Sequence, residues 1–567
     1  MSSSIRKSIL RLTEICPQYG PEAAREKFEL LARLSEKTIR AAYLLKRFHS
    51  VLSFVRAFPD NMALHSLAVA MLNDFSSRVR ELGKARRASL VDSGIAATEV
   101  HYPFDFASMA WLVSRFSDQV KIDWKSYDSH ENLAVLLQFL ASLAEQQVFE
   151  DQTLHTREWM KMAHGEVHAS ELVWLFRQCS NAGTAAKFVE HIYNRAEVPV
   201  IWSLGNAAGS TTRNTLHVNK IHCRTRGMRR LNGNPRREII KLLPGIVHLP
   251  RGPANRLLDA ARAALLVRSR EVYHFQYASA DAVYLASCGE GIQIAFIGAL
   301  PQRRFSLDVS NGYMVFSNGV PVAYGGVSPL FFQANTGLNV LDDYRKSESA
   351  YIYTQVLRMA HTLFGCTRFI VNPYQFGEDN REALQTGAFW FYYRLGFRPT
   401  DESVRKIAQK ELGKIRKRKG YRTPANILKE LATCDLHLVL PGARPDPYFR
   451  EQWLGAVAAG ATRLIAQRNQ RRHSRAVQLI VNDLCRILGI RDPSSWQRHE
   501  REALRHLAPV VNLIDELHNW PVKDKRLLVK LIRAKGAPAE RRYVELMKQH
   551  ARLYNSLRKY CRKHAPH

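Results

Sequence analysis

The chain has 567 residues, 46% of them hydrophobic, with 83 Lys+Arg against 51 Asp+Glu and a formal charge of +32 at pH 7. That length predicts three or four domains or subdomains with ample apolar material for packed cores, and the positive field attracts polyanions over a Debye length of about 8 Å at physiological salt. No run approaches the ~20 apolar residues of a membrane span. The eight scattered cysteines form no Cys-x-x-Cys pair, and the N-terminal pattern is amphipathic rather than leader-like, so free thiols and a cytoplasmic location are expected.

Residues 1–195 read as a helical N-terminal region, with apolar residues at helical spacing over 22–48, 62–82, 132–145, 158–163 and 169–179. Two short extended pieces interrupt it, EVHYPFDF (99–106) and VKIDW (120–124). His101, Tyr102, Asp105 and Asp123 could converge there on an amine, although caps and turns are the plainer role for the aspartates.

Residues 196–269 form an irregular, Arg-rich connecting region. Val198–Leu204 predicts a strand; GNAAGSTTRN (205–214) lacks both the Walker Gly-Lys-Ser/Thr and dinucleotide spacing and reads as a flexible loop. Arg224, Arg226, Arg229, Arg230, Arg236 and Arg237 then crowd six guanidiniums into fourteen residues, able to grip phosphates bidentately or simply to face water. His217, His222 and Cys223 have no second ligand pair at finger-like spacing, so no metal site is expected. A helix is predicted over 256–268.

From 270 to 400 strands alternate with turns, at 282–287, 292–299, 304–308, 313–316 and 320–324, with Asn318-Gly319 as a hairpin turn. Leu338–Leu341 is extended and enters a polar turn, Arg345–Ser349; a helix follows to Gly365, then a strand from Thr367 to Asn372 that ends at Pro373. Asn380–Leu395 predicts one further helix closing on Gly396-Phe397. The helix start beyond Tyr344 carries unpaired amides and a favourable dipole, a physically reasonable seat for an anion.

In this order of parts, with Arg345-Lys-Ser-Glu348-Ser-Ala350 at the turn and Tyr392-Tyr-Arg-Leu-Gly396-Phe397 at the close, the segment resembles the GNAT-type N-acetyltransferase superfamily, tightly over 337–397 and loosely over 270–400. The resemblance implies an acyltransferase that moves an acyl group from acetyl-CoA or another acyl-CoA, or another anionic carrier, to an amine. It implies donor contacts from Val340, Leu341, Arg345, Lys346, Ser347, Ser349, Ala350 and Asn380. Tyr392 is then the general acid, with Tyr393 the alternative, and Glu348 a candidate base. The plainer readings are an aromatic core for residues 389–393, a helix-end carboxylate for Glu348 and a helix cap for Asn380. Glu348 also stands where the family carries its first glycine, bringing a carboxylate to where a pyrophosphate would approach.

Beyond 400, a basic helical linker (401–449) holds RKIAQKELGKIRKRKG, and 450–567 reads as a helical, basic C-terminal domain. The fold class expected is therefore α+β and multidomain: helical N-terminal region, central GNAT-like mixed α/β sheet domain, α-helical C-terminal domain. A second reading is a basic nucleic-acid- or protein-binding factor that keeps the GNAT-like domain as a non-catalytic scaffold, meeting polyanions through Arg224, Arg226, Arg229, Arg230, Arg416, Lys417, Arg418 and Lys419.

Overall fold

The computed structural model describes all residues except 1, 128–129, 151–153, 166–167, 182, 184–185, 232, 346, 445–447, 469–471 and 566–567. The chain is mixed α/β and forms two compact units. Unit 1 gathers 1–228, 255–277 and the hairpin tip 316–322; unit 2 gathers 229–254, 278–315 and 323–567.

In unit 1 the helical pattern of 22–48 divides into Pro21–Ser35 and Ala42–Ala57, and that of 62–82 divides at Asp74 into Met62–Asn73 and Phe75–Arg80. Apolar residues recur on both sides of each break, so periodicity alone could not find them. The extended pieces become β1 (Glu99–Tyr102), β2 (Val120–Ile122) and β3 (Val200–Ser203), an antiparallel sheet in the order β1-β3-β2. Trp202 on β3 is fully buried among Phe104, Trp111 and Phe116.

The second half of the segment 205–214 is packed, with 209–212 and Asn214 buried. Thr212 Oγ1 accepts from the Ala96 amide and Asn214 Nδ2 donates to the Ala260 carbonyl, which gives its polar groups internal partners. The tip 316–322 is held similarly: Ser317 Oγ and Asn318 Nδ2 both donate to the Ala57 carbonyl. Asn318 and Gly319 have φ of 48° and 78°, and a Cβ at Gly319 would strike the Leu216 carbonyl.

Unit 2 is organised by a sheet of β4 (Val247–His248), β5 (Ala278–Ser287), β6 (Ile292–Ala299), β7 (Asn311–Ser317), β8 (Val320–Leu330), β9 (Gln333–Thr336), β10 (Asn339–Val340), β11 (Arg368–Val371), β12 (Arg398–Pro399) and β13 (Leu436–Val439). Its order is β12-β13-β11-β9-β8-β7-β6-β5-β4, with β10 pairing β8. The stretch 304–308, expected as a strand, is irregular chain and a bend just after a short 3-10 turn over Pro301–Arg303. There Arg304 turns inward to donate to the carbonyls of Ala299, Lys535 and Pro538.

Among pairings whose register is described, only β9 with β11 is parallel, and helix α1 (Ser349–Phe364) makes the crossover between them. Gly365, left-handed at φ 63°, stops α1. The helix expected over 380–395 is two: α2 (Arg381–Thr386) and α3 (Ala388–Arg394), divided where Gly387 takes φ 67°. Helix α4 (Glu402–Lys417) follows β12, and the region expected as a linker also supplies β13, which inserts between β11 and β12. The C-terminal helices include α5 (Arg541–Gln549) and α6 (Ala551–His564). Phe331 and Phe332, in the turn from β8 to β9, pack on Tyr554 of α6, and the Phe331 amide donates to Met547 Sδ of α5.

Candidate functional site

The site is built where β9 and β11 part. Their register runs Arg368 with Gln333, Phe369 with Ala334 and Ile370 with Asn335, and there it ends. One residue past β9 the chain breaks its strand at Gly337-Leu338 before β10 resumes against Ala323 and Tyr324. Two backbone groups of the break are taken by tyrosines. Tyr313 Oη donates to the Gly337 carbonyl at 2.5 Å, and the Leu338 amide donates to Tyr392 Oη at 3.3 Å.

Tyr392, on α3, is 2% exposed and packs edge-on to Tyr353, Phe376 and Phe397; burial pushes its phenol up to about 12. It is neutral at ordinary pH and able to give a proton. Tyr353, on α1, is fully buried, and its hydroxyl lies beside that of Thr336 without a regular hydrogen bond for either. Gln375 fills the space above Gly337, where a Cβ would overlap its side-chain amide.

The amide offered at this break is Leu338, two residues before the expected Val340 and Leu341. Val340 is paired with Ala323, and the Leu341 side chain is buried. The signal that could have located the break is Gly337 inside an extended pattern, since an interior glycine marks a bulge or a close backbone approach. Tyr313, Tyr353 and Gln375 carry no motif of their own.

The turn before α1 is arranged differently from a phosphate cradle. Glu348 occupies the N-cap position, is 3% exposed, and accepts the Arg229 backbone amide on Oε1 at 2.7 Å. The Arg229 guanidinium lies 4.6 Å from the Tyr351 ring centre and donates to the Tyr351 hydroxyl, which in turn donates to the Cys288 carbonyl. Arg345 is bound by two carboxylates, Asp342 at 2.7 Å and Glu382. Ser347 Oγ is buried with no hydrogen-bond partner among the described residues, while Ser349 and Ala350 open α1 half-buried. Lys346 lies outside the described residues.

The described residues of this turn would meet the pyrophosphate of coenzyme A with an inward carboxylate and an arginine already paired twice. That donor set does not fit a pyrophosphate. Asn380 is also committed elsewhere: Oδ1 accepts the Ala383 amide as the cap of α2, and Nδ2 donates to the Tyr374 carbonyl. Tyr393 belongs to the aromatic core, stacked on Phe389 with the Arg398 guanidinium 4.1 Å from its ring centre.

The amine pocket considered for unit 1 does not assemble as one. His101 meets Glu99 at 3.2 Å and Asp123 at 3.5 Å, whereas Asp105 Oδ2 accepts from Gln276, whose amide also reaches Glu271. Burial and the nearby Asp105 hold the Glu271 carboxyl above its usual range. Among the described residues no group of three His, Cys, Asp or Glu is placed to hold a metal ion, and no helix is long and apolar enough to cross a membrane. No protein-family model matches this chain, and no curated protein or solved structure resembles it significantly.

Proposed function

We propose that unit 2 is a GNAT-type acyltransferase that moves an acyl group to an amine from an anionic carrier other than coenzyme A. The observation carrying this reading is the meeting of the Leu338 amide and the Tyr392 hydroxyl at the break in the parallel pair. Acyl transfer needs a donor for the oxygen on which charge develops and an acid for the leaving group. The amide polarises the acyl carbonyl once the tyrosine hydroxyl swings from it. The phenol then protonates the departing sulfur or oxygen. The acceptor amine loses its proton to solvent, since Glu348 is buried against a backbone amide and points away from this task.

A second reading, the scaffold without catalysis, is favoured by one observation: Tyr392 and Gln375 already fill the break. The two separate by experiment. Purified protein is offered labelled acyl groups on coenzyme A, on an acyl carrier protein and as an aminoacyl ester of RNA, with a mixed amine pool. Transfer is expected from a carrier other than coenzyme A, and Tyr392→Phe is expected to slow it by about 10²-fold or more without weakening donor binding. No transfer from any donor leaves the scaffold. Stabilisation by acetyl-CoA that disappears on changes at 345–350 restores the pyrophosphate seat.

A further inference from the structure

We propose that the end of α4, Arg416–Lys419, is a binding surface for the phosphodiester backbone of nucleic acid. From Lys414 to Arg422 the sequence KIRKRKGYR holds six basic residues and no acidic one. Arg416, Lys417, Arg418 and Lys419 are all exposed, and among the described residues none makes an ion pair or a side-chain hydrogen bond. Elsewhere in unit 2 surface cations are often matched, as in Arg405 with Glu402, Arg498 with Glu502, Arg533 with Glu500 and Arg552 with Asp524. The same helix neutralises Lys414 on Glu411 one turn earlier and then leaves Arg416 and Lys417 bare, as the residues just past its end leave Arg418 and Lys419.

The tract is nevertheless fixed at its base. Tyr421 Oη donates to the buried Glu411, the Tyr421 amide donates to the Arg418 carbonyl, and Thr423 Oγ1 accepts the Trp390 indole N–H of α3. A held run of unpaired cations keeps its mutual repulsion in the free protein and loses it when phosphates approach. The helix C-terminus favours the cations but supplies no counter-charge of full size. A membrane-surface helix would add exposed Trp, Phe or Leu beside the charges, and 416–420 has none. The separate phosphates of a flexible backbone match four cations on adjacent residues.

The test measures fluorescence anisotropy of fluorescein-labelled 20-nucleotide RNA, single-stranded DNA and duplex DNA with the full chain between 50 and 300 mM salt. The variant carries Arg416→Gln, Lys417→Gln, Arg418→Gln and Lys419→Gln. A control loses the same charge at Lys523, Arg526, Lys530 and Arg562, and the melting temperature of each is compared with wild type. Wild type is expected to bind, and the tract variant to flatten the log K against log salt slope by about three, with the control changing it less. Preference for RNA or DNA identifies the source of the phosphates, and equal binding assigns the backbone alone. The proposal is overturned if wild type fails to bind at 50 mM salt or if tract and control variants behave alike.

Discussion

The basic runs at 224–237 and 416–419 look alike in sequence, but the structure gives three arginines of the first internal partners and leaves all four cations of the second exposed. Arg224 is 2% exposed, with its guanidinium 5.5 Å from the Phe58 ring centre and its amide on the Pro59 carbonyl, so it belongs to the core of unit 1. Arg229 and Arg236 act within unit 2, on Tyr351 and on the Gly396 carbonyl, while Arg226 and Arg230 face solvent. The cations at 416–419 end a helix beyond the last local carboxylate. What separates the two runs is the supply of acceptors around them, not the density of arginine.

The comparison breaks most sharply at Arg224. Arg224→Ala is expected to cost about 3 kcal/mol in urea unfolding, because a buried charge and its surroundings lose their arrangement together. A loss below about 1 kcal/mol would put Arg224 with the solvent-facing cations instead.

Protons test the same expense of burying a cation. Burial holds His274 down to about 4, and burial with the nearby Arg368 holds His437 down to about 3, against an unfolded value near 6.5. Both are neutral when folded, so their stability is complete above pH 6.5 and is lost as pH falls below it. Between pH 7 and 5 each histidine should remove about 1–2 kcal/mol, and His274→Gln or His437→Gln should flatten the decline by its own share.

Arg229→Ala is expected to cost about 1 kcal/mol, since its half-exposed side chain gives up one hydrogen bond, a ring contact and a solvent-screened ion pair with Glu290. The smallest effect belongs to the fourfold glutamine change at 416–419. Its stability should lie within about 0.5 kcal/mol of wild type, rising slightly at low salt as repulsion is relieved. A large loss in thermal unfolding would mean the tract supports the fold and would collapse the contrast.

Much of this architecture was legible because the relevant signals are local. Asn318-Gly319, the stop at Gly365 and the strand ended by Pro373 each depend on backbone freedoms that one or two residues decide. The interruption at Gly387 was visible as a glycine, yet whether it bends or divides a helix depends on a left-handed φ fixed by packing. Of the proposed site, the tyrosine was legible in the sequence and the amide was not. Tyr392 announces itself by spacing from Gly396-Phe397, whereas Leu338 matters through a break in pairing that apolar pattern cannot record. Glu348 was visible as a carboxylate out of place, but its partner, the Arg229 amide, lies 119 positions away in the chain.

The insertion of β13 between β11 and β12 sets an order on biosynthesis. When the ribosome has delivered residue 400, β11 still has a bare outer edge and the Phe331-Phe332 turn still lacks α5 and α6. A nascent chain waiting for Leu436 and then for Tyr554 exposes an unpaired strand and two aromatic rings, a natural substrate for a chaperone. A fragment cut at the apparent end of the sheet, near 400, would remain in that unfinished condition permanently.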